Sequence, residues 1–352
     1  MQDPTLIKIK GRGAVENPPN RFEPIEYVPD TDAYDPDEPP PPTQFFRDAT
    51  RNILAHNNSP DVGFDTSINP YRGCEHGCIY CYARPGHEYF GLSAGLDFET
   101  KIFVKLDAAK LLRDEFMKKS WKPKTIAISG VTDCYQPAER RFKITRSLLE
   151  VFAEFRNPVG MITKNHLITR DLDILSDLAR DNLVGISVSV TSLRNDIQRV
   201  MEPRTSVPAK RLAAIEALTN AGVPVTVMVA PVVPGLTDEE LPAILKAAAD
   251  AGARSAGYIM LRLPYAVKDL FETWLARHFP DRQDKVLNRI RGLRGGQLYQ
   301  SKWGERMRGE GIFADQVELL FEASVRKLGL NQPRAKLSTE HFRRPGEQLK
   351  LL

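Results

Sequence analysis

Three of the four cysteines in this 352-residue chain lie within eight residues of one another, and they carry the most specific chemistry in the sequence. Cys74, Cys78 and Cys81 form C-x3-C-x2-C in NPYRGCEHGCIYCYARP, with Tyr80 just before the last cysteine. Thiolates are soft ligands that suit zinc or iron–sulfur clusters. Clusters usually take four cysteines. Three on one loop can grip three irons of a cubane and leave the fourth open to a small molecule. The rival is structural zinc, which prefers four N/S ligands in paired spacing. His76 is the nearest fourth donor, but it lies between two cysteines, where its reach is cramped. His76 and His87 are therefore expected in solvent or behind the ligands. Cys134 stands well apart.

A loop of this kind must be held by the elements around it. From residue 66 short β-branched runs alternate with amphipathic ones. Strands are expected at 66–69, 125–128, 159–163, 183–190, 223–229 and 255–260. Helices are expected at 107–120, 139–155, 171–180, 208–221 and 237–251, the last opened by a capping box, Thr237 with Glu240. Six such units predict parallel βα pairing with right-handed crossovers. The expected fold is α/β, a partial (β/α)6 TIM-type barrel with a helical C-terminal extension and an extended N-terminal arm. In barrels the chemistry sits at the C-terminal ends of the strands. The domain reading is a Pro-rich, acidic, partly disordered arm over 1–55, a core over 60–265, and a basic helical extension over 266–352.

Composition narrows the class. At 42% hydrophobic and 27% charged the chain is an ordinary water-soluble globular protein. It has no run of 18 apolar residues to span a membrane and no apolar h-region at its start, so a cytoplasmic location is expected. Four cysteines are too few for a disulfide scaffold. Charge is uneven: residues 1–50 carry five Lys/Arg against ten Asp/Glu, and residues 277–352 sixteen against nine. The basic tail reads as a solvated helical surface or as a face for a polyanion.

C-x3-C-x2-C with an aromatic before its last cysteine, after the first strand of a βα series, resembles the radical SAM superfamily. TDCYQPAE, TKNHLITRD, EPRTSVPAKRLAAIEAL and APVVPGLTD resemble its spore photoproduct lyase branch, often labelled DNA repair photolyase. The resemblance implies that Cys74, Cys78 and Cys81 bind a 4Fe–4S cluster whose open iron chelates S-adenosylmethionine (SAM). It further implies reductive cleavage of SAM to a 5′-deoxyadenosyl radical that abstracts hydrogen from substrate. The electron donor would be a reductase such as flavodoxin or ferredoxin.

The same resemblance gives roles to the strand ends. Tyr80 would pack near adenine. Thr132 or Asp133 would accept from the SAM amino group, although SGVTD does not match the glycine-rich stretch common there, and Asp133 reads equally as an Asx-turn. Lys164 would pair with the SAM carboxylate or else snorkel at the surface. Ser187 and Ser189, with Thr191, alternate onto one face and offer hydroxyls to SAM. Arg204 would bind a carboxylate or pair locally with Glu202. Cys134 is a candidate hydrogen donor to a product radical, or an inert buried thiol. A nucleic-acid substrate would meet Arg277, Arg282, Arg289, Arg291, Arg294, Lys302, Arg306 and Arg308, with Tyr299 and Trp303 for stacking. The alternatives are a protein or metabolite substrate, or a non-catalytic Fe–S or zinc module.

Overall fold

The computed structural model describes residues 9–23, 41–333 and 336–346. Most of the acidic proline run at 30–42, and the ends of the chain, lie outside the described residues. Ten strands are described: β1 (Gln44–Arg47), β2 (Ala55–His56), β3 (Thr66–Ile68), β4 (Tyr71–Arg72), β5 (Lys101–Val104), β6 (Ile126–Ile128), β7 (Val159–Thr163), β8 (Val184–Ser189), β9 (Val225–Val232) and β10 (Ser255–Met260). Seven form one sheet in the order β10-β9-β8-β7-β6-β3-β2, parallel throughout except for the antiparallel β2–β3 pair. The remaining three form a small sheet, β1-β5-β4. All six expected core strands are present, and the expected helices pack between them. Alternation builds the layers. Val159 and Met161, like Val184, Ile186 and Val188, are buried on one face, while Gly160, Gly185 and Ser187 lie half-buried on the other.

Local readings change in two places. The run 139–155 is two helices, Glu139–Phe142 and Ile144–Phe155, broken at Lys143 with φ of 53°. The buried Glu139 carboxylate accepts from the Thr145 backbone N–H at 3.0 Å and so caps the second helix across the break. The Thr237/Glu240 capping box does not form. Thr237 Oγ1 accepts from Val233 N, and Glu240 accepts from Ser192 Oγ at 2.7 Å and Leu193 N at 2.8 Å, bracing the loop after β8.

Two segments outside the βα series close the sheet's ends. Residues 11–20 dock beside the cysteine loop, and 44–47 pair with β5. At the opposite end a C-terminal strap crosses the strand starts. Asn331 bridges Ser255, Ser338 N donates to Asn182 O, Arg343 N donates to Phe155 O, and Arg344 Nε donates to Phe116 O. Leu337 lies over Gly185, and Phe342 packs on Phe116 and Phe155. Helices Val267–His278, Gln283–Gly292 and Ile312–Lys327 make up most of the segment between.

Candidate functional site

Parallel pairing gathers the ends of β3, β6, β7, β8 and β9 at one end of the sheet. The cysteine loop leaves β4 there. Gly73 and Gly77 take positive φ, 78° and 66°, which lets the chain turn between the thiols. Cys74 N donates to Phe98 O and Ile79 N to Met201 O, fixing the loop at both flanks. All three thiols are free; Cys74 and Cys78 are buried and Cys81 is half-buried. Burial pushes their pKa values up, and Lys164 works in the opposite sense on Cys78 and Cys81.

His76, the fourth candidate ligand, is turned away. It is buried, contrary to a solvent-facing expectation, with Nε2 3.0 Å from the Asn165 amide and Nδ1 3.4 Å from Asp133 Oδ2. The Asn165 carbonyl oxygen accepts from Leu167 N, so its NH₂ faces the imidazole, and the Nδ1–H tautomer follows. Burial lowers the His76 pKa, in keeping with a neutral ring. Among the described residues, no three His, Cys, Asp or Glu side chains converge on a single ion. The donor set of the loop is three thiols, which fits a cluster with one iron left without a protein ligand and does not fit four-coordinate zinc.

Behind the loop lies a buried carboxylate, Glu202. It accepts from the Tyr80 hydroxyl, from Thr191 Oγ1 at 2.7 Å and from the wholly buried Arg211 guanidinium. Burial alone would raise its pKa. Arg211 and then Lys164, with the hydrogen bonds from Tyr80 and Arg211, overcome that and hold it at about 2. Tyr80 is thus pinned by its hydroxyl. Lys164 Nζ reaches Ala230 O at 3.2 Å, bringing its charge from the end of β7 towards the end of β9.

Other expected contacts resolve into structure. Asp133 forms the Asx-turn, accepting from Tyr135 N at 2.8 Å, and also accepts from Thr163 Oγ1 and Lys164 N, each at 2.8 Å. Thr132 Oγ1 donates to Tyr71 O. Ser189 is buried and its carbonyl accepts from Arg211, while Ser187 stays half-buried in register with Thr226. Arg204 pairs with Glu75 at 3.0 Å, not with Glu202. Cys134 is completely buried, with its N–H on Ser129 Oγ and its carbonyl on Thr145 Oγ1. The thiol is enclosed by the core.

Sequence reasoning missed an inner brace. Glu99 and Arg84 form a wholly buried ion pair at 2.5 Å. Arg84 Nε also donates to Cys78 O at 3.0 Å, and Glu99 accepts from Gly13 N at 2.9 Å and Ala14 N at 2.8 Å. A Cβ at Gly13 would overlap the Gly77 carbonyl oxygen, so only glycine permits this approach. Tyr82 was also missed. It is 47% exposed, its hydroxyl donates to Gly130 O at 2.6 Å, and its ring lies 5.3 Å from the Arg262 guanidinium.

Much of the basic tail is paired locally. Arg289 pairs with Asp238, Arg306 with Asp61 and Lys302 with Glu305. Arg294 is buried on the carbonyls of Leu261 and Glu305, and Arg308 lies over the Tyr258 ring at 3.7 Å. Local pairing consumes much of the positive face that composition suggested. No described helix is long and apolar enough to cross a membrane.

Comparison with known proteins agrees with this arrangement. Residues 68–248 match the model of the Radical SAM superfamily. An uncharacterized protein of Mycobacterium tuberculosis is 37% identical over 254 residues, covering 71% of this chain and 74% of its own. An uncharacterized protein of Methanocaldococcus jannaschii is 27% identical over 173 residues, 49% of this chain and 62% of its own. Spore photoproduct lyase with bound AdoMet and dinucleoside spore photoproduct shares the fold, with TM-score 0.55 and 17% identity over 81% of this chain and 78% of that one. The chain belongs to the radical SAM superfamily, a family of enzymes that use a 4Fe–4S cluster and S-adenosylmethionine.

Proposed function

We propose that this protein binds a 4Fe–4S cluster through Cys74, Cys78 and Cys81 and cleaves SAM reductively to modify or repair a nucleic acid. The observation that carries the first part is the loop itself: three free thiols on one turn, with His76, the imidazole between them in sequence, engaged elsewhere. When bound, the cluster would supply the one-electron chemistry for reductive cleavage of SAM. The chain's own residues do the rest. Lys164 offers an ammonium to the SAM carboxylate from the end of β7, and Glu202 holds the Tyr80 ring by its hydroxyl beside the thiols. Ser187 offers a hydroxyl on the half-buried sheet face. Thr132, Asp133, Ser189 and Arg204 position the surrounding loops through the bonds already described. The seven strands would curl as a partial (β/α)6 barrel around that pocket, with the helical extension after residue 266 packed outside and residues 11–20 shielding the loop. A flavodoxin or ferredoxin would deliver the electron, and the setting would be the cytoplasm.

The nucleic-acid part is supported by the fold shared with spore photoproduct lyase, whose structure holds a dinucleoside spore photoproduct. The test is anaerobic. The protein is reconstituted with iron and sulfide, reduced with dithionite and given SAM, and 5′-deoxyadenosine is quantified beside a Cys74→Ala, Cys78→Ala, Cys81→Ala variant. Product from the native chain alone supports the reading, and DNA or RNA should then raise turnover. A reduced cluster with no SAM cleavage would overturn it.

A further inference from the structure

A cleft of about 360 Å³ lies between the turn after β7 and the start of helix Pro208–Asn220. Its walls carry Arg140, Arg170, Lys210 and His166, and no carboxylate lines it. The four come from three separate segments, so the fold, not a local run of charge, assembles them. Arg170 is held rigidly from behind, with Nη2 on Glu139 at 2.8 Å and on Asp171 at 2.7 Å. Arg140 and Lys210 are exposed, and among the described residues neither side chain has an ion-pair partner. Ser206 and Thr169 fix His166 in place, Ser206 Oγ accepting from His166 N and Thr169 Oγ1 donating to its carbonyl.

This arrangement opposes ordinary stability. Lys210 sits in the first turn of its helix, at the positive end of the helix dipole, where a cation is unfavourable. Burial, and then the Lys210 ammonium, lower the His166 pKa, so the local field is positive. Arg170 is balanced by Glu139 and Asp171, but Arg140 and Lys210 have no ion-pair partner among the described residues, and unbalanced like charges in a concave site raise the local concentration of anions. A planar guanidinium suits a tetrahedral oxyanion through two parallel hydrogen bonds, and lysine adds a point charge.

We propose that this cleft is a phosphate-binding site, used by a free phosphate or diphosphate or by a phosphodiester of a nucleic acid. Its volume admits a phosphate with the sugar or second phosphate attached to it. Arg140 and Lys210 make the direct contacts, and Arg170, held by Glu139 and Asp171, adds a fixed wall. The cleft adjoins the cysteine end through Asn165, which lines it and bonds His76. Binding here does not require the cluster, so its test is independent of SAM cleavage.

The experiment titrates the full chain with pyrophosphate by calorimetry and with a labelled single-stranded oligonucleotide by anisotropy. Native protein is compared with Arg140→Gln/Lys210→Gln and with Lys246→Ala/Arg326→Ala, which removes the same charge elsewhere. Thermal melting confirms that each is folded. The expected result is at least ten-fold weaker pyrophosphate binding in the cleft variant and native-like binding in the control variant. If the source is a phosphodiester, pyrophosphate displaces the oligonucleotide, and the slope of log affinity against log salt falls by about 1.4 for two lost contacts, at roughly 0.7 each. Pyrophosphate binding without oligonucleotide binding assigns the cleft to small phosphates. Absence of both, or equal binding by native and cleft variant, overturns the proposal.

Discussion

The Glu99 carboxylate meets the Arg84 guanidinium 2.5 Å away with neither side chain exposed, and this pair ties the N-terminal arm to the cysteine loop. Arg84 holds the Cys78 carbonyl from one side; Glu99 takes two backbone N–H groups of the arm from the other. Gly13→Ala forces a methyl group into the Gly77 carbonyl and should release the arm. Limited proteolysis should then cut near residues 15–23 much faster than in the native chain. An unchanged digestion pattern would show that the arm is not held by this contact.

Glu202→Gln leaves Arg211 buried without its counter-charge. Removing one member of a buried pair costs about 3–5 kcal/mol. The urea midpoint should fall accordingly, and iron content after reconstitution should fall with it, because Tyr80 loses its anchor beside Cys81. A midpoint within experimental error of the native value would contradict the bracing role.

His87 provides the pH dependence. Its ring is buried among Phe90, Phe98 and Phe103, with Nε2 on Lys101 O at 2.9 Å. Burial lowers its pKa to about 4, against a smaller upward pull from that hydrogen bond. An unfolded histidine titrates near about 6.5. Between the two values the unfolded chain binds the extra proton, so this contribution to stability is full above about pH 6.5 and declines as pH falls towards 4. The loss approaches about 3 kcal/mol. In His87→Gln, the fall in unfolding free energy over that window should be correspondingly shallower.

Lys164→Met removes the ammonium from the end of β7 while keeping the stem. A hydrogen bond to a charged group is worth roughly 1.5–3 kcal/mol, so SAM should bind at least ten-fold more weakly to the reconstituted protein. Equilibrium dialysis with labelled SAM measures this directly. Equal affinity would remove Lys164 from the binding site.

Cys134→Ala should cost about 1 kcal/mol through the small cavity it leaves. Iron content and 5′-deoxyadenosine yield should match the native protein, since the thiol is enclosed by the core. Loss of product at full iron content would show that Cys134 acts in the chemistry after all.

The parts of this architecture written into the sequence are those with a local cause. Residues 159–163 read as a strand because Val159, Ile162 and Thr163 lie within one segment, and 255–260 because a short apolar run follows the helix-ending Ala251-Gly252; the structure places strands over the same residues. The helix break at Lys143 has no glycine or proline to announce it; its cause is the capping Glu139 carboxylate four residues earlier. Glu240 matched a capping box by spacing, yet it serves a loop 47 residues away. The cysteine loop was legible because its ligating atoms are neighbours in sequence. Its supports were not. Glu99 meets Gly13 across 86 residues, and Glu202 meets Tyr80 across 122. Nothing in either local sequence distinguishes those carboxylates from the many that face water.

The strap over the strand starts follows in chain order every strand it crosses. During synthesis, β6, β7, β8 and β10 are all complete before Asn331 or Phe342 exists to cover them. The cysteine end therefore has its supporting residues available first, while the far end of the sheet keeps apolar surface open until residues 331–346 emerge. Such surface is where partly made chains stick to one another. A nascent chain stopped at about residue 330 should be the species that chaperones hold longest.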